Sequence, residues 1–169
     1  AGLLKGNLWH RAMTEADMAQ VTNEFVAAAR LCREAGFDAV EIHMGHGYLL
    51  NQFISPLSNK RRDQYGGSAA NRVRFPAEVL RRVKQAVGEE MAVLAKINLA
   101  DGVNGGATVD DAIVTAQALQ AAGADMLVLS AGRNIESGWM MFGSNINMEE
   151  MAKVLSGSRL TSLMLKLSQ

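Results

Sequence analysis

The sequence is poor in cysteine and in net charge, and each shortage excludes a class of protein. Cys32 is the single cysteine among 169 residues, so no disulfide can form within the chain, and a reducing, cytoplasmic compartment is expected. Lys plus Arg and Asp plus Glu number 17 each, which leaves no basic excess to attract nucleic acid or an anionic membrane. No apolar run approaches the roughly 20 residues of a membrane span. The sequence therefore predicts neither a nucleic-acid partner nor a membrane partner.

The start of the chain, AGLLKGNLWHR, has no initiator methionine and no signal-peptide layout. The missing initiator methionine favours a processed chain or a fragment. Hydrophobic residues make up 49% of the chain and charged residues 20%, which is typical of a globular protein with a sizeable core. No linker or charge block divides the sequence, so a single domain, 1–169, is predicted.

Helical and strand patterns alternate along the chain. Helices are predicted from Thr14 to Gly36, from Ser68 to about Val87, from Thr108 to Gly123, and at 148–155. Strands are predicted at 37–43, 92–98 and 126–130. Pro76 lies inside the second helical pattern and indicates a kink or a restart, because proline is tolerated only in the first turn of a helix. The segments AGFDAVEI and AGADMLVL are similar to each other and suggest a repeated helix–turn–strand unit.

This alternation predicts an α/β fold with parallel strands joined by right-handed crossovers. Long connections follow the strands and short ones precede them, which favours a segment of a TIM-type barrel, with a doubly wound sheet as the alternative. A closed barrel needs about 250 residues, so three strands predict a partial barrel or an open α/β layer. His43, Lys96 and Ser130 are expected at the same end of the sheet.

The long connection from His43 to Phe75 is the best candidate for function, since a loop of this length in a compact domain is usually functional. His43 and His46 open it, and two imidazoles there can donate hydrogen bonds to one oxygen or bind a metal, with Glu41 as the nearest third ligand. One of them could instead satisfy a backbone carbonyl. Glu41 is expected to be a buried structural carboxylate with partners. Tyr48 can act as a general acid or pack as a half-buried loop aromatic.

The long connection contains three distinctive segments, HMGHGYLLNQF, SPLSNKRRDQYGGS and NRVRF. They resemble the motifs of one family, H-x-x-H or H-x-x-N, G-Y-L-L-x-Q-F, S-P-x-x-N-x-R-x-D-x-Y-G-G-S and N-R-x-R-F. That family is the FMN-dependent NADH:flavin oxidoreductases or Old Yellow Enzymes. The likeness extends upstream through MTEAD and downstream to about Asn147. Ala70 replaces the family's Glu before Asn-Arg, and the segment from Arg61 to Arg74 is interpreted as scaffold.

The resemblance implies a TIM barrel, of which this chain would be about strands four to six, and FMN with NAD(P)H as reductant. His43 and His46 resemble the pair that grips the oxygen of a small-molecule substrate. Tyr48 resembles the catalytic proton donor to the alkene. Lys96 is implied as a cofactor-binding residue, standing where the family usually has an Arg beside flavin N1 and the C2 carbonyl.

The implied activity is NAD(P)H-dependent reduction of activated C=C bonds, as in enones. Two alternatives stay open: a metal-dependent barrel lyase or aldolase using His43, His46 and Glu41, and a non-catalytic half-barrel. A half-barrel would pair with copies of itself in a homo-oligomer or with the missing barrel portion. The isolated chain is expected to bind FMN weakly or not at all and to reduce no enone, since FMN contacts are spread around a whole barrel.

Overall fold

The structure is a computed structural model that describes residues 11–138 and Met140. Helices and strands alternate through this part of the chain. In chain order they are α1 Glu15–Glu34, β1 Ala39–Met44, α2 Leu49–Ile54, α3 Ala69–Arg72, α4 Arg74–Val87, β2 Ala92–Asn98, α5 Val109–Ala121 and β3 Met126–Ser130. The predicted helix at 148–155 lies outside the described residues. No helix among residues 11–138 is long and apolar enough to cross a membrane.

The described strands form one parallel sheet in the order β1-β2-β3. His43 pairs with Lys96, and Asn98 pairs with Ser130. The carboxyl ends of the strands therefore meet at one edge, which confirms the predicted parallel arrangement and the shared end for His43, Lys96 and Ser130. Chain connections cross from strand to strand by way of helices, as parallel pairing requires.

The two faces of this sheet have different environments. The outer face carries buried apolar side chains and packs against α2, α4 and α5, while α1 packs on α4. Its buried members are Ile42, Met44, Val93, Ala95 and Ile97. The inner face carries the intervening side chains of each strand, because successive residues point to opposite sides. Glu41, His43, Lys96, Asn98 and Ser130 lie on this inner face.

The helix ends follow the predicted signals. Thr14 and Asp17 form a capping box at the start of α1, and Thr108 and Asp111 form another at the start of α5. In each, the hydroxyl accepts the N3 amide while the Asp side chain accepts the amide of the capping residue. Gly36 follows the end of α1 with φ 84°, a left-handed conformation that glycine adopts at low cost.

Two predicted elements need correction. The connection after β1 was expected to lack regular structure, yet it contains α2, whose Leu50, Phe53 and Ile54 are buried. The helix expected from Ser68 to Val87 is divided at Val73 into α3 and α4. Pro76 lies in the first turn of α4, where its missing N–H costs no hydrogen bond. A restart, one of the two outcomes that Pro76 indicated, is therefore what occurs.

The rest of the long connection is held by buried polar side chains. Asn59 donates from Nδ2 to the carbonyls of Phe53 and Tyr65, both at 2.7 Å, and accepts from Arg61 N at 3.1 Å. Arg72 donates to the Ile54 carbonyl at 2.7 Å and pairs with Asp111 at 2.6 Å. These bonds tie the loop to α2 and α5, which agrees with its interpretation as scaffold.

Candidate active site

His46 occupies an unusual backbone conformation just after β1. Its φ is 59°, and among the described residues it is the sole non-glycine with a positive φ. Its N–H donates to Asn98 Oδ1 at 3.1 Å, and its carbonyl accepts from Asn134 N at 3.1 Å. A residue in this region costs of order 1–3 kcal/mol and persists only where its surroundings determine it. The two hydrogen bonds, to groups at the end of β2 and beyond the end of β3, hold His46 in this conformation.

Gly45 allows this close packing at the end of β1. A Cβ at Gly45 would lie 2.7 Å from Asn98 Oδ1, nearer than side-chain carbons approach an oxygen. The missing side chain therefore lets the loop lie directly against the end of β2.

The two imidazoles lie together on the inner side of the sheet. The ring centroids of His43 and His46 are 4.9 Å apart in an edge-on arrangement. The Gly45 N–H donates to His43 Nδ1 at 3.4 Å. Because Nδ1 accepts that bond, the neutral ring carries its proton on Nε2, where it can be donated to another group. His46 Nε2 lies 2.6 Å from Ser130 Oγ, so this nitrogen already has a partner from β3.

Tyr48 stands beside His43 at the start of α2. Their ring centroids are 4.9 Å apart, and Tyr48 is 52% exposed. It is the N-cap residue of α2 and makes no capping bond with its side chain. The phenol therefore remains available on the surface next to the imidazoles.

Lys96 lies opposite His43 in the sheet and forms an ion pair with Glu41. The Lys96 Nζ to Glu41 Oε1 distance is 2.9 Å, and both side chains are about one-third exposed. Glu41 thus has the partner that was expected, but it is not buried, because it lies on the open inner face. This corrects the predicted burial of Glu41.

A buried polar network lies beneath the histidines. Asp101 is fully buried and accepts bonds from Ser55 Oγ at 2.5 Å, from Ala107 N at 2.8 Å and from Asn98 Nδ2 at 3.2 Å. Asn98 also donates to the Gly132 carbonyl at 2.7 Å. Hydrogen bonds inside such a network are strong when every member is satisfied. The network links the loops that follow β1, β2 and β3.

Sequence reasoning did not identify Asn98, Asp101 or Ser130 as site residues. Asn98 and Ser130 were predicted as strand ends, and Asp101 was given no assignment. A signal for two of them was present, because Asn98 has the same strand parity as Lys96 and both it and Ser130 end parallel strands. Polar residues at that end of barrel strands usually belong to the site.

The surroundings of both imidazoles lower their pKa and so favour the neutral form. Burial lowers the pKa of His43, and the charge of Lys96 lowers it further while Glu41 opposes the change. Burial also lowers the pKa of His46, followed by the charges of His43 and then Lys96. Neutral rings can both donate and accept, which suits a site that grips an oxygen atom.

These lowered pKa values make the fold less stable in acid. Below about pH 6.5 the unfolded chain binds more protons at these rings than the folded chain, so stability falls as the pH drops from neutral through the folded-state pKa. We expect the free energy of unfolding in urea to fall over this range, and His46→Gln to reduce the slope. A His10→Gln variant serves as the control for an unspecific histidine effect. An identical slope in His46→Gln and the unmodified chain would contradict the expectation.

A metal centre lacks support in the described part of the chain. No group of three His, Cys, Asp or Glu side chains there lies close enough to hold a metal ion. Glu41, the candidate third ligand, pairs with Lys96 instead.

Comparison with known proteins places this chain in a family. Residues 4–153 match the model of the NADH:flavin oxidoreductase / NADH oxidase family. The 4,4'-dithiodibutanoate disulfide reductase of Rhodococcus erythropolis is 41% identical over 150 residues, which cover 88% of this chain and 36% of that protein. The NADH oxidase of Thermoanaerobacter brockii is 36% identical over 157 residues, covering 86% of this chain and 24% of that protein. The chain thus spans about a third or less of the length of these relatives.

Solved structures agree with the sequence comparison. The Old Yellow Enzyme homologue from Zymomonas mobilis superposes with a TM-score of 0.63 at 29% identity, over 72% of this chain and 35% of that chain. The resemblance to the Old Yellow Enzymes and the partial TIM barrel are therefore confirmed. Flavin and NADH, implied as cofactor and reductant, are confirmed at the level of the family by its description. The chain belongs to the NADH:flavin oxidoreductase / NADH oxidase family.

Proposed function

We propose that the protein containing this chain is an FMN-dependent NAD(P)H oxidoreductase of the ene-reductase type, which reduces activated C=C bonds of enones or related substrates. The observation that carries the proposal is the grouping of His43, His46, Tyr48 and Lys96 at the carboxyl ends of two parallel strands. Chemistry in barrels of this kind is built at that end of the sheet.

The histidines would bind the substrate's oxygen. His43 offers an Nε2 proton, since its Nδ1 accepts from Gly45. His46 lies 4.9 Å away, ring centre to ring centre, and would supply a second contact from Nδ1, since its Nε2 is bonded to Ser130 Oγ. Hydrogen bonds to a carbonyl oxygen strengthen as negative charge develops on it, so the pair would polarise the adjacent C=C bond.

Lys96 is the residue of this chain that would contact FMN. Its side chain is 32% exposed on the inner face, and its ammonium pairs with Glu41 Oε1 at 2.9 Å. The donor set fits, because a cation there would stabilise the negative charge of a reduced flavin. When bound, FMN would supply hydride transfer from NAD(P)H to the β-carbon of the substrate. Tyr48 would supply the proton to the α-carbon from its exposed phenol.

The name of one relative supports a second candidate substrate. A disulfide reductase is 41% identical to this chain, and reduction of a disulfide by NAD(P)H also consumes one hydride and one proton to yield two thiols. Parallel assays with cyclohexenone and with 4,4'-dithiodibutanoate would decide between them. Turnover of neither substrate would contradict both candidates.

The flavin assays need a complete barrel, so a chimera is the suitable host. In this chimera, residues 4–153 replace the matching segment of the Rhodococcus disulfide reductase, which aligns with 88% of this chain. The isolated 169-residue chain is expected to bind FMN weakly or not at all by fluorescence titration, whereas the chimera retains it. Tight binding with turnover by the isolated chain would overturn that expectation.

Phenol binding tests the histidine assignment directly. Phenolic ligands are expected to bind the flavin-loaded chimera with a long-wavelength charge-transfer band. His43→Ala should weaken their binding by about 1–3 kcal/mol, the scale of a lost hydrogen bond to a charged group. The affinity is measured by titrating the band.

His46→Asn is the matched control, because asparagine keeps a donor and the family pattern admits it at this position. It should bind phenols more tightly than His46→Ala. Unchanged phenol affinity in His43→Ala would refute the assignment.

A further inference from the structure

The side chain of Asn98 joins all three strand-to-helix loops at the site. Its Oδ1 accepts from His46 N at 3.1 Å, and its Nδ2 donates to the Gly132 carbonyl at 2.7 Å and to Asp101 Oδ1 at 3.2 Å. Both amide hydrogens therefore have acceptors, and Asn98 is only 7% exposed. The partners define the orientation of the amide, since a flipped group would set a donor against the His46 N–H.

The hydrogen bond to Asn98 holds His46 in a backbone conformation that histidine does not prefer. The left-handed backbone of His46, with φ 59°, is costly for a residue other than glycine. Asn98 Oδ1 also lies where a side chain on Gly45 would be. Gly45 and His46, the two residues that lead into the loop, therefore both lie close to the amide oxygen of Asn98.

The position of the His46 imidazole is determined by the conformation of the His46 backbone. A histidine ring can reach only the positions that its Cα and Cβ allow, and the His46 ring meets Ser130 Oγ at 2.6 Å. Release of the His46 N–H would let φ return to negative values. The ring would then leave Ser130 and the neighbourhood of His43.

We propose that Asn98 is a positioning residue, which holds the backbone of His46 so that its imidazole stands beside His43 at the carboxyl edge of the sheet. The effect of Asn98 on substrate binding rests on the proposed function. The effect of Asn98 on the position of the His46 ring is independent of that function and can be measured without flavin.

The chain offers a closely matched control in Asn59. Like Asn98, this buried amide donates twice and accepts once from a backbone N–H; it donates to the carbonyls of Phe53 and Tyr65 and accepts from Arg61 N. Asn59→Leu and Asn98→Leu therefore each remove three hydrogen bonds from a buried amide, and the difference is that one acceptor of Asn98 is the Asp101 carboxylate. Only the second touches His46.

The test is nitrogen-15 NMR of the imidazoles in the full 169-residue chain, which has three histidines. In Asn98→Leu we expect the His46 ring to lose its Ser130-bonded signature and its pKa to rise toward the ordinary value of about 6.5. Asn59→Leu should leave the His46 signals unchanged although it also lowers stability. Unchanged His46 signals in Asn98→Leu would overturn the proposal.

Gly45→Ala provides a second variant should Asn98→Leu fail to fold. Its new methyl group would meet Asn98 Oδ1 at 2.7 Å and should displace the same contact from the other side. The same change in the His46 signals is expected, and unaltered signals would again overturn the proposal.

A double-mutant cycle in the flavin-loaded chimera connects the contact to binding. Asn98→Leu should weaken phenol binding about tenfold, as expected for a displaced hydrogen-bonding group, but should add nothing in a His46→Ala background. Additive losses would mean that Asn98 acts elsewhere. Absence of phenol binding in the unmodified chimera would refute the proposed function while the NMR result still decides the role of Asn98.

Discussion

Replacing Tyr48 with phenylalanine is expected to slow substrate reduction by about 10²–10⁴-fold, the usual contribution of a positioned general acid. The ring would keep its place 4.9 Å from His43, because the substitution removes only the hydroxyl. Stopped-flow measurement of the two half-reactions in the flavin-loaded chimera separates the effects. Reduction of the flavin by NAD(P)H should be unchanged, while its reoxidation by cyclohexenone should be slow.

Tyr65→Phe is the control for the loss of a phenolic hydroxyl. Tyr65 is the second of the two tyrosines in the chain and contacts the guanidinium of Arg61 with its ring at 5.8 Å. That contact uses the face of the ring, so phenylalanine preserves it. Equal reoxidation rates in Tyr48→Phe and Tyr65→Phe would remove Tyr48 from the mechanism.

Gly66→Ala is expected to lower the free energy of unfolding by about 3 kcal/mol, as for a strongly overpacked site. An added Cβ would lie 2.1 Å from the Arg61 carbonyl oxygen and 2.5 Å from its carbon. These are backbone atoms, so the loop itself must move. Urea unfolding of the 169-residue chain measures the loss.

The adjacent Gly67 separates steric overlap from backbone strain. Gly67 has φ 80° but no atom within 4 Å of an added Cβ. Gly67→Ala should therefore cost only the left-handed penalty of about 1–2 kcal/mol. A loss in Gly66→Ala no larger than that in Gly67→Ala would show that the turn accommodates the methyl group.

The elements predicted correctly are those whose signals are local. The capping boxes at Thr14 and Thr108 involve residues three apart, and the short apolar strands are bounded by turn residues, so each can be read in a short window. Their parallel pairing follows from the alternation of helix and strand. The shared end of His43 and Lys96 then follows without knowledge of any side-chain contact.

The features that were missed depend on contacts distant in sequence. Helix α2 has six residues, and its N-cap Tyr48 makes no capping bond. Its stability therefore comes from the burial of Leu50 and Phe53, which the local sequence does not reveal. The role of Asn98 at His46 arises across 52 residues. No pattern within one strand indicates which loop amide a strand-end asparagine will meet.

The expected burial of Glu41 failed for a related reason. Strand parity correctly placed its side chain on the inner face with His43. Burial of that face, however, depends on what lies across from it, and residues 11–138 leave it partly open. Strand parity predicts which face of the sheet a side chain points from, whereas its burial depends on the elements that pack against that face.

The contacts of His46 also have a consequence for the order of folding events. Its bonds to Asn98 and Ser130 span 52 and 84 residues, and contacts that close long loops form late because chain entropy opposes them. During synthesis, the helices and the first strand pair can form before Ser130 has left the ribosome. The His46 N–H can then bond to Asn98 once β2 pairs with β1, but the His46 imidazole reaches Ser130 only when β3 docks. Hydrogen exchange should accordingly find the His46 amide opening more readily than the amides of the sheet's centre.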